Sequence, residues 1–328
     1  MLVSPNRTDR PWLGQEEINL LPRKKSYEPD CYLCPGNHRA GGSANPHYTS
    51  TFVFENDFSA LHRTGPDFEV NEGLLNAKSE KGICKVICFS PDHSKSLSSM
   101  TISEIDDVIS VWQSEYLELG GMKGINYVQI FENRGSIMGC SNPHPHGQIW
   151  AQNSIPEIIQ KKSNTQKEYF DRKRTGLLED YIKQELEVKD RIVYKNNEFV
   201  VLVPFWAIWP FEVMILPLKS ASNIASMTKS QKTFFAETIK VLTSCYDRLF
   251  NCPFPYSAGI HQAPTDGKLY EAWHWHMSFF PPLLRSSTIK KFMVGYEMFA
   301  MPQRDFSAEY AADKLRVLVN SAEGSDNE

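Results

Sequence analysis

Apolar and polar positions alternate along the chain in patterns that predict strands and helices in a definite order. The run Ile83-Cys84-Lys85-Val86-Ile87-Cys88-Phe89 is β-branched and apolar and stops at Ser90-Pro91-Asp92, the pattern of a buried strand with Cys84 and Cys88 in the core. Ile105, Val108, Ile109, Trp112, Tyr116 and Leu117 recur at helical spacing behind Ser103-Glu104-Ile105-Asp106, predicting a helix with Ser103 as N-cap. Strands follow at Tyr127 to Asn133 and His146 to Gln152, either side of a glycine-containing turn from Arg134 to Gly139. In the charged stretch 166–190, Tyr169, Phe170, Leu177, Leu178, Tyr181, Ile182 and Leu186 predict one amphipathic connector helix lying on the sheet. Strands are then predicted either side of Asn196-Asn197 within Arg191 to Trp206, at Glu212 to Leu218, at Tyr256 to His261 and at Trp273 to Phe280. Helices are predicted over Ser230 to Phe250 and Ser307 to Val319.

The order long helix, strand, glycine turn, histidine-bearing strand occurs at 103–152 and again at about 228–280, which reads as a duplication. The first copy carries His144-Pro145-His146-Gly147-Gln148 and the second His274-Trp275-His276-Met277-Ser278. The expected fold is α+β: two fused copies of a helix-covered, mainly antiparallel sheet, divided at 1–190 and 191–328. Residues 5–50, rich in Pro, Gly, Asn and charge, read as an extended lead-in that something must staple.

Composition narrows the function classes. With 328 residues, 41% hydrophobic and 23% charged, the chain has enough apolar side chain for a core. The net charge of −4 offers no general field for nucleic acid or an anionic membrane, so an anionic ligand needs a local site. No run approaches a membrane span and Met1 to Arg7 is no signal peptide, giving a cytoplasmic expectation. Seven cysteines are too few and too unevenly placed for a disulfide scaffold, which leaves thiols or metal ligands.

Alternate strand residues share a face, so His144, His146 and Gln148 are expected to converge, with Pro145 marking a sheet edge or a strand start. The upstream Gly139-Cys140-Ser141-Asn142 is small and polar, as needed where amides and hydroxyls approach phosphate oxygens. A neutral imidazole can attack phosphorus, and its adduct carries a positive charge that offsets the phosphoryl group. A neutral amide such as Gln148 can hold the phosphoryl oxygens without quenching the nucleophile.

The segment Gly139-Cys140-Ser141-Asn142-Pro143-His144-Pro145-His146-Gly147-Gln148 resembles the active-site motif of the galactose-1-phosphate uridylyltransferase family, the transferase branch of the histidine triad superfamily. Similarity continues through Val3-Ser4-Pro5, Arg10-Pro11-Trp12, Cys31 to Asn37, Phe131-Glu132-Asn133, Pro204 to Phe211 and Pro281 to Ser286. The resemblance implies two histidine-triad-like halves and ping-pong transfer of UMP through His146. The substrates it implies are UDP-glucose, galactose 1-phosphate, glucose 1-phosphate and UDP-galactose. Gln148 would hold the phosphoryl group, with Cys140 and Ser141 lining the phosphate pocket. Arg7, Arg10, Asn56, Asp57 and Asn133 match positions that hold the uridine diphosphate. Lys291, Phe292, Val294, Tyr296, Glu297 and Gln303 match a hexose-binding segment that reaches into the partner's site in a homodimer. On the residues alone, that last segment reads as exposed polar side chains around a buried Phe and Val.

Cys31-x-x-Cys34 is half of a tetrahedral zinc site, and on spacing alone His38 competes with His93 as a further ligand. The family pattern supplies His93 and His144, which would close a structural zinc site. Some family members carry a second metal held by one glutamate and three histidines. Here His261 and His276 match two of those positions, but Ser278 stands for the third histidine and Lys162 for the glutamate, so this second site is expected to be empty. His274 would substitute only through a register slip. The family's short strand upstream of Val3-Ser4-Pro5 is truncated at Met1, an expected weak point of the nucleotide pocket. Two competing readings are a transferase or phosphorylase using another nucleotide sugar such as ADP-glucose, and a nucleotide-binding homologue without turnover.

Overall fold

The computed structural model describes residues 1–4 and 25–323; the part of the expected 5–50 lead-in that spans 5–24, with Arg7 and Arg10, lies outside the described residues. Thirteen strands are described: β1 Leu2–Val3, β2 Phe52–Glu55, β3 Glu69–Glu72, β4 Leu75–Lys78, β5 Gly82–Cys88, β6 Tyr127–Arg134, β7 His146–Gln152, β8 Ile192–Lys195, β9 Phe199–Leu202, β10 Val213–Pro217, β11 Tyr256–His261, β12 His276–Phe280 and β13 Gln303–Arg304. The helices are α1 Ile102–Gly120, α2 Glu157–Lys173, α3 Leu177–Val188, α4 Lys229–Leu249, α5 Tyr296–Phe299 and α6 Ala308–Glu323.

Nine strands form one antiparallel sheet in the order β2-β5-β7-β6-β11-β12-β10-β9-β8. Outward from the β6–β11 junction the two directions match: β6, β7, β5, β2 on one side and β11, β12, β10, β9 on the other. The registers match too. Gln148 stands opposite Val86 and Phe131, Ser278 stands opposite Met214 and Gly259, and Phe131 faces Gly259 across the junction. The duplicated α+β architecture is therefore present as a pseudo-two-fold centred on the Phe131–Gly259 pair.

One sheet face is closed by α1, α4 and α6. Their apolar stripes bury Ile105, Trp112, Phe235, Leu242 and Leu315 against Ile130, Ile149, Ile215 and Ile260, in a single core that runs through both halves. On the opposite face, α3 seats Leu178 and Ile182 on Val200, Leu202, Met214 and Leu216, and α2 seats Ile159 beside Tyr127 and Trp273. The rest of that face, around β7 and β6, is left to the loop-rich segment and a recess.

Several boundaries differ from the sequence expectation. α1 is capped by Thr101 rather than Ser103, because Glu104 at N3 folds back onto the Thr101 amide at 2.8 Å and closes a capping box. α4 begins with the same device at Thr228 and Gln231. The single connector helix is two helices, broken where Arg174 adopts φ 61° ahead of Gly176. β12 starts at His276 rather than Trp273, since the amides of His274 and Trp275 donate to the Gln166 side chain and the Ala221 carbonyl instead of a ladder.

Glu132 of β6 is buried on the helix-covered face, where the Tyr256 hydroxyl donates to it at 3.1 Å. Burial pushes its carboxyl up to about 7, with Arg134 pulling the other way. A carboxyl raised in the folded state favours folding below its unfolded value of about 4.3, and that contribution is lost as pH rises towards 7. Glu132→Gln is expected to remove this slope, worth at most about 1.4 kcal/mol per pH unit, from unfolding free energies measured in urea between pH 4.5 and 7.5. An unchanged slope would show that the carboxyl is not raised.

Candidate active site

β7 begins at His146 because Pro145 offers no amide, while its carbonyl accepts from Phe89 at 2.9 Å. Of the two expected alternatives for Pro145, the strand start is what the structure has: β7 is a central strand, not an edge. From there His146, Gln148, Trp150 and Gln152 face the open side, and Gly147, Ile149 and Ala151 face the helices. Gly147 is needed for close approach. A Cβ there would stand 2.8 Å from the Phe89 ring and 3.0 Å from the Phe131 carbonyl oxygen.

His144, expected to converge with His146 and Gln148, is instead buried and turned under the loop-rich segment. Its Nδ1 lies 3.6 Å from Cys34 Sγ, as does His93 Nδ1, and the ligand atoms of Cys31, Cys34, His93 and His144 all lie within 4.8 Å of one another. A tetrahedral zinc ion with bonds of about 2.3 Å to sulfur and 2.0 Å to nitrogen needs S···N edges of about 3.5 Å, so the four residues fit such an ion. His144 Nε2–H donates to the Ser90 carbonyl at 2.8 Å, which leaves the Nδ1 lone pair facing the cluster. Burial pushes the Cys34 thiol up to about 11 and His144 down to about 4, so without a cation this pocket would hold neutral groups. His38 takes no part: it is exposed, with Nδ1 on the Gly42 carbonyl.

His146 is tied to this cluster through the backbone. Its Nδ1–H donates to the His144 carbonyl at 2.8 Å, fixing the tautomer that leaves Nε2 bare. Burial lowers its pKa, which keeps the ring neutral. A small recess at the ring is lined by Asn133, Gly139, Cys140, Ser141, Gly147 and Gln148. It opens beside a cavity of about 350 Å³ lined by Tyr32, Phe54, Asn56, Asp57, Ser141 and Gln148 among others. Gly139, at φ 78°, lets the chain turn back so that Cys140 and Ser141 reach this recess.

The structure thus brings together His146, Gln148, Cys140, Ser141, Asn56, Asp57 and Asn133. Asp57 accepts from Arg39 Nε at 3.2 Å and Asn133 from the Ser257 hydroxyl at 2.7 Å. It does not bring the 291–303 segment to His146, since none of those six residues lines either recess. There the surface reading is reversed. Lys291 and Gln303 are buried, with the Lys291 ammonium donating to Glu297 and to the Gln303 carbonyl, while Phe292 and Val294 are exposed.

Sequence reasoning missed Trp150, Tyr48 and Arg39, and it placed Asn142 in the phosphate approach without its role at the cluster. Trp150 Nε1–H donates to Gln148 Oε1 at 3.2 Å, so the Gln148 amide presents its NH₂ elsewhere. Asn142 accepts from the His144 amide and donates to Cys31 Sγ, and the Tyr48 hydroxyl lies 3.0 Å from His144 Nε2. Arg39 lies over the Phe54 ring at 4.4 Å and beside Asp57. The i, i+2 spacing of Gln148 and Trp150 was the one signal available.

A two-fold-repeated antiparallel sheet, with a buried Cys₂His₂ cluster beside a tautomer-fixed histidine over an open recess, defines a duplicated histidine-triad-like α+β protein. The chain belongs to the galactose-1-phosphate uridylyltransferase family. The family profiles "Galactose-1-phosphate uridyl transferase, N-terminal domain" and "C-terminal domain" match residues 1–156 and 162–325. A Haemophilus influenzae protein named galactose-1-phosphate uridylyltransferase is 48% identical over 319 residues, covering 97% of this chain and 91% of that one. Among solved structures, a uridylyltransferase aligns at TM-score 0.80 and 22% identity over 94% of this chain and 96% of its own. An Arabidopsis thaliana ADP-glucose phosphorylase with bound ADP-glucose aligns at TM-score 0.74 and 22% identity, over 96% of this chain and 93% of its own. These two support the fold.

Gly147→Ala is expected to cost about 1–3 kcal/mol of unfolding free energy, read as a lower urea midpoint at constant m-value, because the added methyl meets a packed ring and a backbone oxygen. An unchanged midpoint would show that β7 has room to yield.

Proposed function

We propose that this chain is a UDP-glucose:hexose-1-phosphate uridylyltransferase that passes UMP between glucose 1-phosphate and galactose 1-phosphate through His146. The observation that carries the reading is the His146 ring itself, neutral, with Nδ1–H held by the His144 carbonyl and Nε2 directed to the recess. Nε2 attacks the α-phosphorus of the UDP-sugar; a P–N bond forms as the P–O bond to the sugar 1-phosphate breaks, and that sugar phosphate leaves with the electron pair. The incoming hexose 1-phosphate then attacks the same phosphorus through a phosphate oxygen, and the P–N bond breaks. During the adduct the ring is positively charged, and the His144 carbonyl bears on the Nδ1–H side of that charge.

Gln148, its carbonyl oxygen occupied by Trp150, offers its NH₂ to the phosphoryl oxygens. Cys140 and Ser141 line the same recess, and Asn56, Asp57 and Asn133 line it or the cavity beside it, where they would hold the nucleotide; Arg7 and Arg10, outside the described residues, are assigned to the same nucleotide by the family resemblance alone. Cys31, Cys34, His93 and His144 would hold a structural zinc ion, which shares no open position with substrate. Lys291, Phe292, Val294, Tyr296, Glu297 and Gln303 would serve the partner's site in a homodimer. The outward Phe292, Val294 and Tyr296 and the buried knot that holds them out suit that role. None of the seven cysteines is in a disulfide, which suits a cytoplasmic setting, and no described helix is long and apolar enough to cross a membrane.

Mixing the protein with UDP-glucose and digesting it should yield a UMP adduct on the His146 peptide, and His146→Ala should abolish both the adduct and labelled glucose 1-phosphate exchange, by at least about 10³-fold. Exchange at full rate in that variant would overturn the reading, and faster exchange with ADP-glucose would move the substrate. Metal analysis should give one zinc per chain. Cys34→Ser should lose it together with several degrees of Tm; a metal-free wild type of equal Tm would remove the structural role.

A further inference from the structure

The pseudo-two-fold places His274 and His276 where the first half has His144 and His146, and the local hydrogen bonds are repeated. His144 Nε2–H donates to the Ser90 carbonyl and His274 Nε2–H to the Pro217 carbonyl, both at 2.8 Å. His146 Nδ1–H donates to the His144 carbonyl, and His276 Nδ1–H to the His274 carbonyl at 3.2 Å. In both halves the second histidine is therefore left with a bare Nε2. What faces it differs. His146 opens on a recess, whereas His276 is buried and its Nε2 accepts from the Lys162 ammonium, from α2, at 2.9 Å.

The four-ligand metal centre that the family resemblance implies does not fit these residues. Lys162 has no lone pair to give while protonated, and Ser278 is no imidazole. Among the described residues the one group of three or more metal-ligating side chains within ligand distance is the Cys31, Cys34, His93, His144 cluster.

We propose that Lys162 is an internal lock on this second histidine pair: its ammonium occupies the His276 Nε2 that would otherwise bind a metal ion, so the second half carries a metal-excluding centre that anchors α2 to the sheet. Three further observations agree with it. The His261 ring stacks on His276 with centroids 5.0 Å apart, and its Nδ1 is buried without a partner, so a second imidazole stands beside the lock and holds no metal partner of its own. Burial lowers both imidazoles, with the Lys162 charge adding to it, so two neutral rings surround one cation. Burial also draws Lys162 down to about 8, with the Glu212 carboxylate acting against it, so at neutral pH the amine remains mostly charged and a divalent ion meets a like charge.

The lock makes a constructive test available. A glutamate side chain is one bond shorter than lysine, so a carboxylate at 162 would stand about 4 Å from His276 Nε2, a side-chain adjustment of about 0.6 Å from the roughly 3.4 Å that separates two tetrahedral ligands on bonds of about 2.1 Å. Zinc-loaded wild type, Lys162→Glu and Lys162→Glu/His276→Ala would be titrated with Co²⁺, reading bound cobalt per chain after gel filtration and its visible absorption. The wild type should gain no cobalt. Lys162→Glu should gain one equivalent with a spectrum lacking thiolate charge transfer, and the double variant should lose it. A second equivalent in the wild type that His276→Ala removes would overturn the proposal, as would a folded Lys162→Glu that gains none. A measurement on the unaltered chain does not depend on that variant folding: ¹⁵N NMR should show His276 as the Nδ1–H tautomer, unmoved by Co²⁺, and an Nε2–H tautomer or cobalt broadening would sink the idea.

Discussion

The hydrogen bond from His146 Nδ1–H to the His144 carbonyl is the constraint on which the site depends. It decides which ring nitrogen is bare, and the strand geometry decides where that nitrogen points. Residues i and i+2 share a face, and the proline between them contributes no competing donor. Because the ring of His144 is gripped by the Cys₂His₂ cluster, its carbonyl is not free to drift. Asn142 tightens the link by holding the His144 amide at 2.9 Å and Cys31 Sγ at 3.5 Å. A loop-rich segment with almost no regular structure of its own thereby sets the orientation of a ring more than a hundred residues away.

The same device is built twice on the sheet, which separates what it needs from what it does. A carbonyl two residues upstream, itself held by a histidine bonded to a neighbouring carbonyl, fixes the tautomer in both halves. The environment opposite Nε2 then decides the outcome. Around β7 the helix-free stretch leaves a recess, and across the axis α2 descends on the sheet and brings an ammonium instead. The connector between the halves is in this sense the source of their asymmetry.

Sequence periodicity was enough for the central strands and the long helices, because each buries one face against a continuous core. β7 and β11 carry the bounds expected of them. It failed where the deciding partner is distant. Thr101 displaces Ser103 as cap through a contact three residues on, whereas β12 starts late because Gln166 and Ala221 claim the amides before it. In the site, a contiguous motif announced His146, Gln148, Cys140 and Ser141. Asn142, Tyr48, Trp150 and Arg39 act through pairings that folding creates: Asn142 lies inside the motif and Trp150 two residues beyond Gln148, but neither position announces its partner, and nothing near Tyr48 or Arg39 marks them. Lys291 shows the reverse error: a lysine reads as surface until Glu297 and a backbone carbonyl are folded onto it.

Charge placement explains why a buried neutral imidazole can sit beside a cluster able to hold a cation. Burial alone would leave the Cys34 thiol protonated near neutral pH, and a divalent ion held there would be offset by the two thiolates it creates, so the filled cluster would present little net charge to its neighbours. His146, two residues from His144, would then meet neither a net anion nor a bare cation, and burial is what lowers its pKa. The recess is lined by donors, the Gln148 amide and the Ser141 hydroxyl, and, among the described residues, by no lysine or arginine. Had a lysine stood there, as one does opposite His276, it would have met the lone pair first. The open and the locked histidines therefore share a tautomer-fixing backbone and differ in what faces Nε2: a recess beside Gln148 in one half, the Lys162 ammonium in the other.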